Sequence, residues 1–98
     1  MEITSIGVSS LLAAQQVVNV RANNIVNAQT DGFTASNPLL VSEAPVGGVA
    51  VFVQDTNNPV NLVTETIGLI NASNQYEAAA SLIRTGDELS RTLIDTFG

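Results

Sequence analysis

The chain has 98 residues, no cysteine and no histidine, and it carries 3 Lys+Arg against 9 Asp+Glu for a formal net charge of -6. That length supports one small domain with a thin core, and the charge excludes binding to nucleic acid through clustered cations or attraction to an anionic membrane surface. Without Cys and His there is no disulfide or thiolate chemistry, and the commonest general base and metal ligand are missing.

The start, MEITSIGVSS, lacks the basic region and continuous apolar run of a secretory signal. No segment approaches the ~20 apolar residues of a membrane span, so no membrane insertion is expected. A first helix is predicted from Ile3 to Asn27, free of proline. On a wheel at about 100° per residue it shows two apolar stripes. Val8, Leu11, Gln15, Val18, Ala22 and Ile25 form one; Ile6, Ala13, Val17 and Val20 form the other, continued by Asn24 and Asn27. Asparagine competes for backbone hydrogen bonds inside helices, so Asn23, Asn24 and Asn27 need a reason to be there. Gly32 is free to take φ > 0 where the chain turns back, with Phe33 capping the helix end by apolar contact.

A β-hairpin follows. Leu39-Leu40-Val41 and Val49 to Val53 are bracketed by Pro38 and Asp55 and separated by the turn Pro45-Val46-Gly47-Gly48. The second long helix is predicted from Pro59 to Thr96, with Asn58 as N-cap and Pro59 in the first turn. Leu69, Tyr76, Ile83 and Ile94 lie along one edge of its apolar arc; Leu82, Leu89 and Leu93 lie along the other, with Ala79, Gly86 and Phe97 between. Glu77, Arg84, Glu88, Arg91 and Asp95 make a polar face with i,i+3 and i,i+4 pairs. Gly86 marks a close helix–helix approach, because a glycine there costs about 1 kcal/mol of helix propensity. The expected fold is mainly α, a single domain over 1–98. The helical segments 1–28 and 59–97 fold back antiparallel as a coiled-coil-like pair, joined by loop and hairpin at 29–58. One partner helix cannot cover a two-sided helix, so assembly is expected.

ANNIVNAQTDGF at residues 22–33 resembles the N-terminal signature of the bacterial flagellar rod and hook (axial) protein family. Residues 60–97 are similar to that family's C-terminal helix, matching at Ala72, Tyr76, Glu77, Ala78, Ile83, Thr85, Asp87 and Glu88. Asp31 stands where proline is common, Thr34-Ala35 and Asn74 and Ser81 replace basic positions, and the middle segment is far shorter than in hook and distal rod proteins. The nearest outline is a shortened proximal rod protein. The resemblance implies a structural subunit of the basal-body rod in the periplasm, packing through its terminal helices into a helical tube with itself and other rod proteins. It also implies export without a cleaved signal peptide. The alternative is a flagellar-like paralogue acting as a small oligomeric adaptor or regulatory binding module. The assembly residues implied are Leu11, Val18, Asn24, Ile25, Asn27, Gly32, Phe33, Leu69, Tyr76, Ile83, Gly86, Leu89 and Leu93. Asn24 and Asn27 are assigned to an outward stripe, fixing register between subunits as a buried polar residue does in a coiled coil. Tyr76 is read as a helix–helix anchor.

No enzyme, cofactor, metal site or small-molecule substrate is expected. Ser9-Ser10 and Asp87-Glu88 have no base of near-neutral pKa beside them. Asp55-Thr56-Asn57-Asn58 lacks the bidentate acidic end and central glycine of a calcium loop.

Overall fold

Two helices and a hairpin account for the chain in a computed structural model that describes residues 3–43 and 47–97. Helix α1 spans Ile3–Val26, strand β1 Ser36–Ser42, strand β2 Val49–Asp55 and helix α2 Leu62–Phe97. The predicted turn residues Pro45 and Val46 lie outside the described residues. Gly47 and Gly48 have φ of 88° and 98°, a region that glycine enters without a Cβ penalty.

Each helix end has an identifiable cause. At the end of α1, the Asn27 side-chain amide donates to the Asn23 carbonyl at 2.9 Å and to Asn23 Oδ1 at 3.2 Å. The Thr30 hydroxyl then donates to Asn27 Oδ1. Asn23 and Asn27 thus satisfy a frayed last turn locally, and Gly32 at φ 76° completes the reversal. The start of α2 differs from the expectation. Asn61, not Asn58, is the N-cap: its Oδ1 accepts from the N–H groups of Val63 at 3.0 Å and Thr64 at 3.2 Å. Asn58 is committed elsewhere, since its carbonyl accepts from the Ala35 N–H at 2.8 Å. With Asn57 at φ 58°, the chain is still turning at the position assigned to the cap, and Pro59 precedes the helix.

The helices run antiparallel and form an elongated molecule of 63 × 25 × 14 Å. A methyl group added at Gly86 would come within 2.6 Å of Thr4 Oγ1; one at Gly7 would come within 2.7 Å of Ile83 Cγ1. Toward the other end Arg21 lies across Gly68. The buried residues of α2 are Glu65, Ala72, Ala79 and Gly86, seven apart each time, and those of α1 are Gly7, Ala13, Ala14, Val17 and Asn24. Small side chains let the two backbones approach, so the core is a narrow seam.

The hairpin pairs Ser36 with Asp55 through to Ser42 with Val49 and packs against α1. Two side chains of α1 hold it, each bonding both backbone groups of one strand-end residue. Asn24 Nδ2 donates to the Ser36 carbonyl at 2.7 Å while Ser36 N–H donates to Asn24 Oδ1 at 3.0 Å. Val49 N–H donates to Ser9 Oγ at 2.8 Å, and the Ser9 hydroxyl donates to the Val49 carbonyl at 3.3 Å. Fifteen helical residues from Ser9 to Asn24 span roughly 22 Å, and the six strand steps from Ser36 to Ser42 span roughly 20 Å. The lengths match, so the hairpin lies along the helix.

By length and composition alone α1, with 24 residues, is apolar enough to cross a membrane, contrary to the sequence expectation. Gln15, Gln16 and Asn19 are outweighed along the helix by its Val, Leu, Ile and Ala. In this fold the same helix supplies half of the seam and both hairpin clamps.

Candidate assembly surface

Where α1 meets both the hairpin and α2, polar groups are buried together. Asn24 is 0% exposed and Glu65 3%. Asn24 Nδ2 donates to Glu65 Oε2 at 3.0 Å, and Arg21 Nη1 donates to the two Glu65 oxygens at 3.3 and 3.2 Å. Asn24 is the residue type this position requires. Its amide must supply two donor hydrogens, to Ser36 and Glu65, and one acceptor oxygen. The carboxylate is compensated by one cation and one amide, as a buried charge must be. This corrects the expectation that Asn24 lies on an outward stripe. Ala13, Val17 and Asn24, assigned to the second stripe, face the inside because that stripe covers α2 and the hairpin at once. Leu11, Val18 and Ile25 of the heptad stripe are only half-buried, at the flank of the seam. Asn27 is half-buried in the local turn, so it too is occupied within the chain.

The remaining expected packing residues divide by their place on the fold. Gly86 is buried against Ile3 and Thr4, whereas Ile83, beside Gly7, is half-buried. Leu69 and Phe33 are half-buried, and Gly32 is exposed in the turn. Tyr76 is 42% exposed, outside the seam, and Leu89 and Leu93 are 53% and 57% exposed. Sequence reasoning missed Ser9, Arg21, Glu65 and Ser36. Two signals pointed to the charged pair: Arg21 is the only charged residue of α1, and Glu65 stands one heptad step before Ala72.

Beyond Gly86, where α1 begins, α2 continues for some eleven residues, or about 16 Å. Leu89, Leu93, Ile94 and Phe97 are all exposed there, Phe97 by 85%. Val63, Ile67 and Ile70 make a second apolar patch near the start of α2, and Phe52 and Val53 are exposed on opposite faces of the hairpin. The accessible surface is 6561 Å², against roughly 5,300 Å² for a folded monomer of 10.2 kDa. The excess, on the order of 1,200 Å², goes with the elongated 63 × 25 × 14 Å shape.

A groove of about 530 Å³ opens between the hairpin and the helices. Asp55, in the turn that leads to α2, has its carboxyl held below the usual carboxylate range, first by the Asn57 N–H and then by the Thr34 hydroxyl. Among the described residues no group of three or more His, Cys, Asp or Glu could hold a metal ion.

Residues 58–96 match the protein family described as "Flagellar basal body rod FlgEFG protein C-terminal". This segment is α2 with its capping turn. No curated protein matches the chain.

Proposed function

Since its C-terminal segment is that of a flagellar rod and hook family protein, we propose that this chain is a structural subunit of the flagellar basal-body rod, or a rod-derived paralogue, that self-assembles through its terminal helices. The family is structural, and the residues of this chain suit that role. Its buried Asn24 and Glu65, with Arg21 Nη1, hold the hairpin and helices in register. The observation that carries the reading is the match over α2 combined with the apolar surface that α2 leaves uncovered.

On this reading the seven-residue spacing of Glu65, Ala72, Ala79 and Gly86 is a coiled-coil-like seam that keeps each subunit intact. The flanking residues Leu11, Val18, Ile25, Leu69 and Tyr76 then meet neighbouring subunits, together with Leu89 and Leu93. The assembly is an open tube in the periplasm, reached by export without a cleaved signal peptide, with other rod proteins as neighbours. Asn24 fixes register inside the subunit, so its influence on the assembly is indirect.

Negative-stain microscopy of the purified chain at raised concentration tests this, with open tubes or rods as the expected result. Closed discrete particles would favour an oligomeric adaptor instead. A sharp monomer by analytical ultracentrifugation, fully helical at high concentration, would overturn self-assembly.

A further inference from the structure

We propose that the end of α2 beyond Gly86 is a plug by which one copy of this chain docks into the groove between the hairpin and the helices of the next copy. The inference rests on the self-assembly reading above and adds the two surfaces that meet.

Along α2 the face that seats α1 consists of Ala72, Ala79 and Gly86. The same face continues past α1 as Leu89, Leu93 and Phe97, at i, i+4 and i+8. The change from small to large side chains matters. Small residues accept a closely approaching helix, whereas a ridge of two leucines and a phenylalanine needs a wide, shallow-floored recess. The groove is such a recess. The helices line it chiefly with small side chains, Ser10, Ala13, Ala78 and Ala79, and the hairpin adds Leu40 and Val41. It exists because the hairpin packs on α1 and stands off α2.

Length, charge and area agree with this pairing. The groove runs from Gln75 to Leu82 along α2, about 10 Å, and the ridge from Leu89 to Phe97 covers about 12 Å. Among the described residues no charged one lines the groove. The charges of the plug, Glu88, Arg91 and Asp95, lie on the opposite side of its helix, and Arg91 is already paired with Asp87 at 3.1 Å. A chain of net charge -6 can therefore bring these surfaces together without burying a carboxylate. Leu89, Leu93 and Phe97 are each more than half exposed, so docking would take apolar area out of water. Plug and groove are different surfaces of one chain, so the contact is heterologous and propagates as an open filament.

The chain has no cysteine, which makes site-directed cross-linking unambiguous. Val41→Cys and Leu93→Cys combined in one chain, treated with a short bismaleimide under assembling conditions, should give a covalent ladder of dimers, trimers and higher species. The two single variants mixed together should stop at a heterodimer. Leu93→Cys cross-linking to itself would mean that plugs pair with plugs, and would overturn the proposal. Filling the groove with Ala78→Phe should raise the concentration needed for association at least tenfold, while helicity and urea midpoint stay at wild-type values. Tubes that form without the Val41–Leu93 cross-link, or that tolerate Ala78→Phe, would overturn the plug and leave self-assembly standing. A wild-type chain that never associates would remove both.

Discussion

At Glu65, α2 enters the fold through a buried carboxylate shared with Arg21 and Asn24, whereas at Phe97 the same helix ends 85% exposed. The first end is specified by hydrogen bonds whose partners lie 41 and 44 residues away in sequence. The second carries as much apolar character but no intramolecular partner to spend it on. Hydrogen bonds are directional and fix one arrangement, while apolar area is indifferent to which surface covers it. One helix can therefore serve a folded subunit at one end and a neighbour at the other.

Removing the polar anchor should have the largest effect. Asn24→Leu strands the Ser36 backbone groups and takes one partner from Glu65, at roughly 1–3 kcal/mol for each unsatisfied buried group. We expect a loss of about 3 kcal/mol in urea unfolding of dilute protein, with the hairpin amides exchanging fastest. A loss below about 1 kcal/mol would show that the two ends of α2 are not held differently.

Gly86 lies at the border between the two regions. Its missing Cβ would meet Thr4 Oγ1 at 2.6 Å and Ile3 Cγ2 at 2.9 Å; both atoms sit on short β-branched side chains with little room to swing. Gly86→Leu should cost about 2 kcal/mol as an overpacked seam. Gly86→Ala, whose clash is offset by about 1 kcal/mol of helix propensity, should stay within about 1 kcal/mol of wild type. Equal stability of the two variants would place residue 86 outside the seam.

Asp55 should give a smaller, pH-dependent effect at the anchored end. Its carboxyl is held below the ordinary aspartate range by the Asn57 N–H first and then by the Thr34 hydroxyl. The unfolded chain therefore binds this proton first as the pH falls. The stabilisation is complete above the unfolded value and is lost as the pH drops through the folded one. Thermal unfolding between pH 5 and 2.5, compared with Asp55→Asn, should lose this small slope in the variant. An unchanged slope would assign it to other carboxylates.

At the free end the expected change in stability is the smallest. Leu93→Gln should shift the urea midpoint of dilute protein by no more than a surface substitution does, within about 0.5 kcal/mol, while weakening association. Hydrogen exchange should be fast over residues 88–97 in the same sample, and slow at the backbone amides of residues 24 and 65. Strong protection of both ends in dilute monomer would erase the contrast.

Much of this was legible in the residues themselves. Apolar periodicity defined both helices, and the β-branched runs around Gly47-Gly48 defined the hairpin. ANNIVNAQTDGF together with the pattern around Tyr76-Glu77-Ala78 carried the family resemblance. The cap of α2 was misplaced by three residues because Asn57, Asn58 and Asn61 are all competent caps. Only the pairing of the Asn58 carbonyl with Ala35 removes the nearer ones. The residues expected to pack were readable as a largely apolar set, but their division into buried and exposed members was not.

The sequence by itself determined the type and order of the elements, the absence of histidine and cysteine chemistry, and the presence of more apolar helix face than one partner covers. These follow from local propensity and composition, which each segment carries wherever it is placed. Only the tertiary structure decided that the stripe ending in Asn24 faces inward, that Ser9 and Asn24 match the length of the hairpin, and that Glu65 is buried with Arg21. A helical wheel gives the angle between two stripes but not which of them meets the partner. That choice depends on the energy of bringing residues far apart in sequence into one buried, hydrogen-bonded cluster.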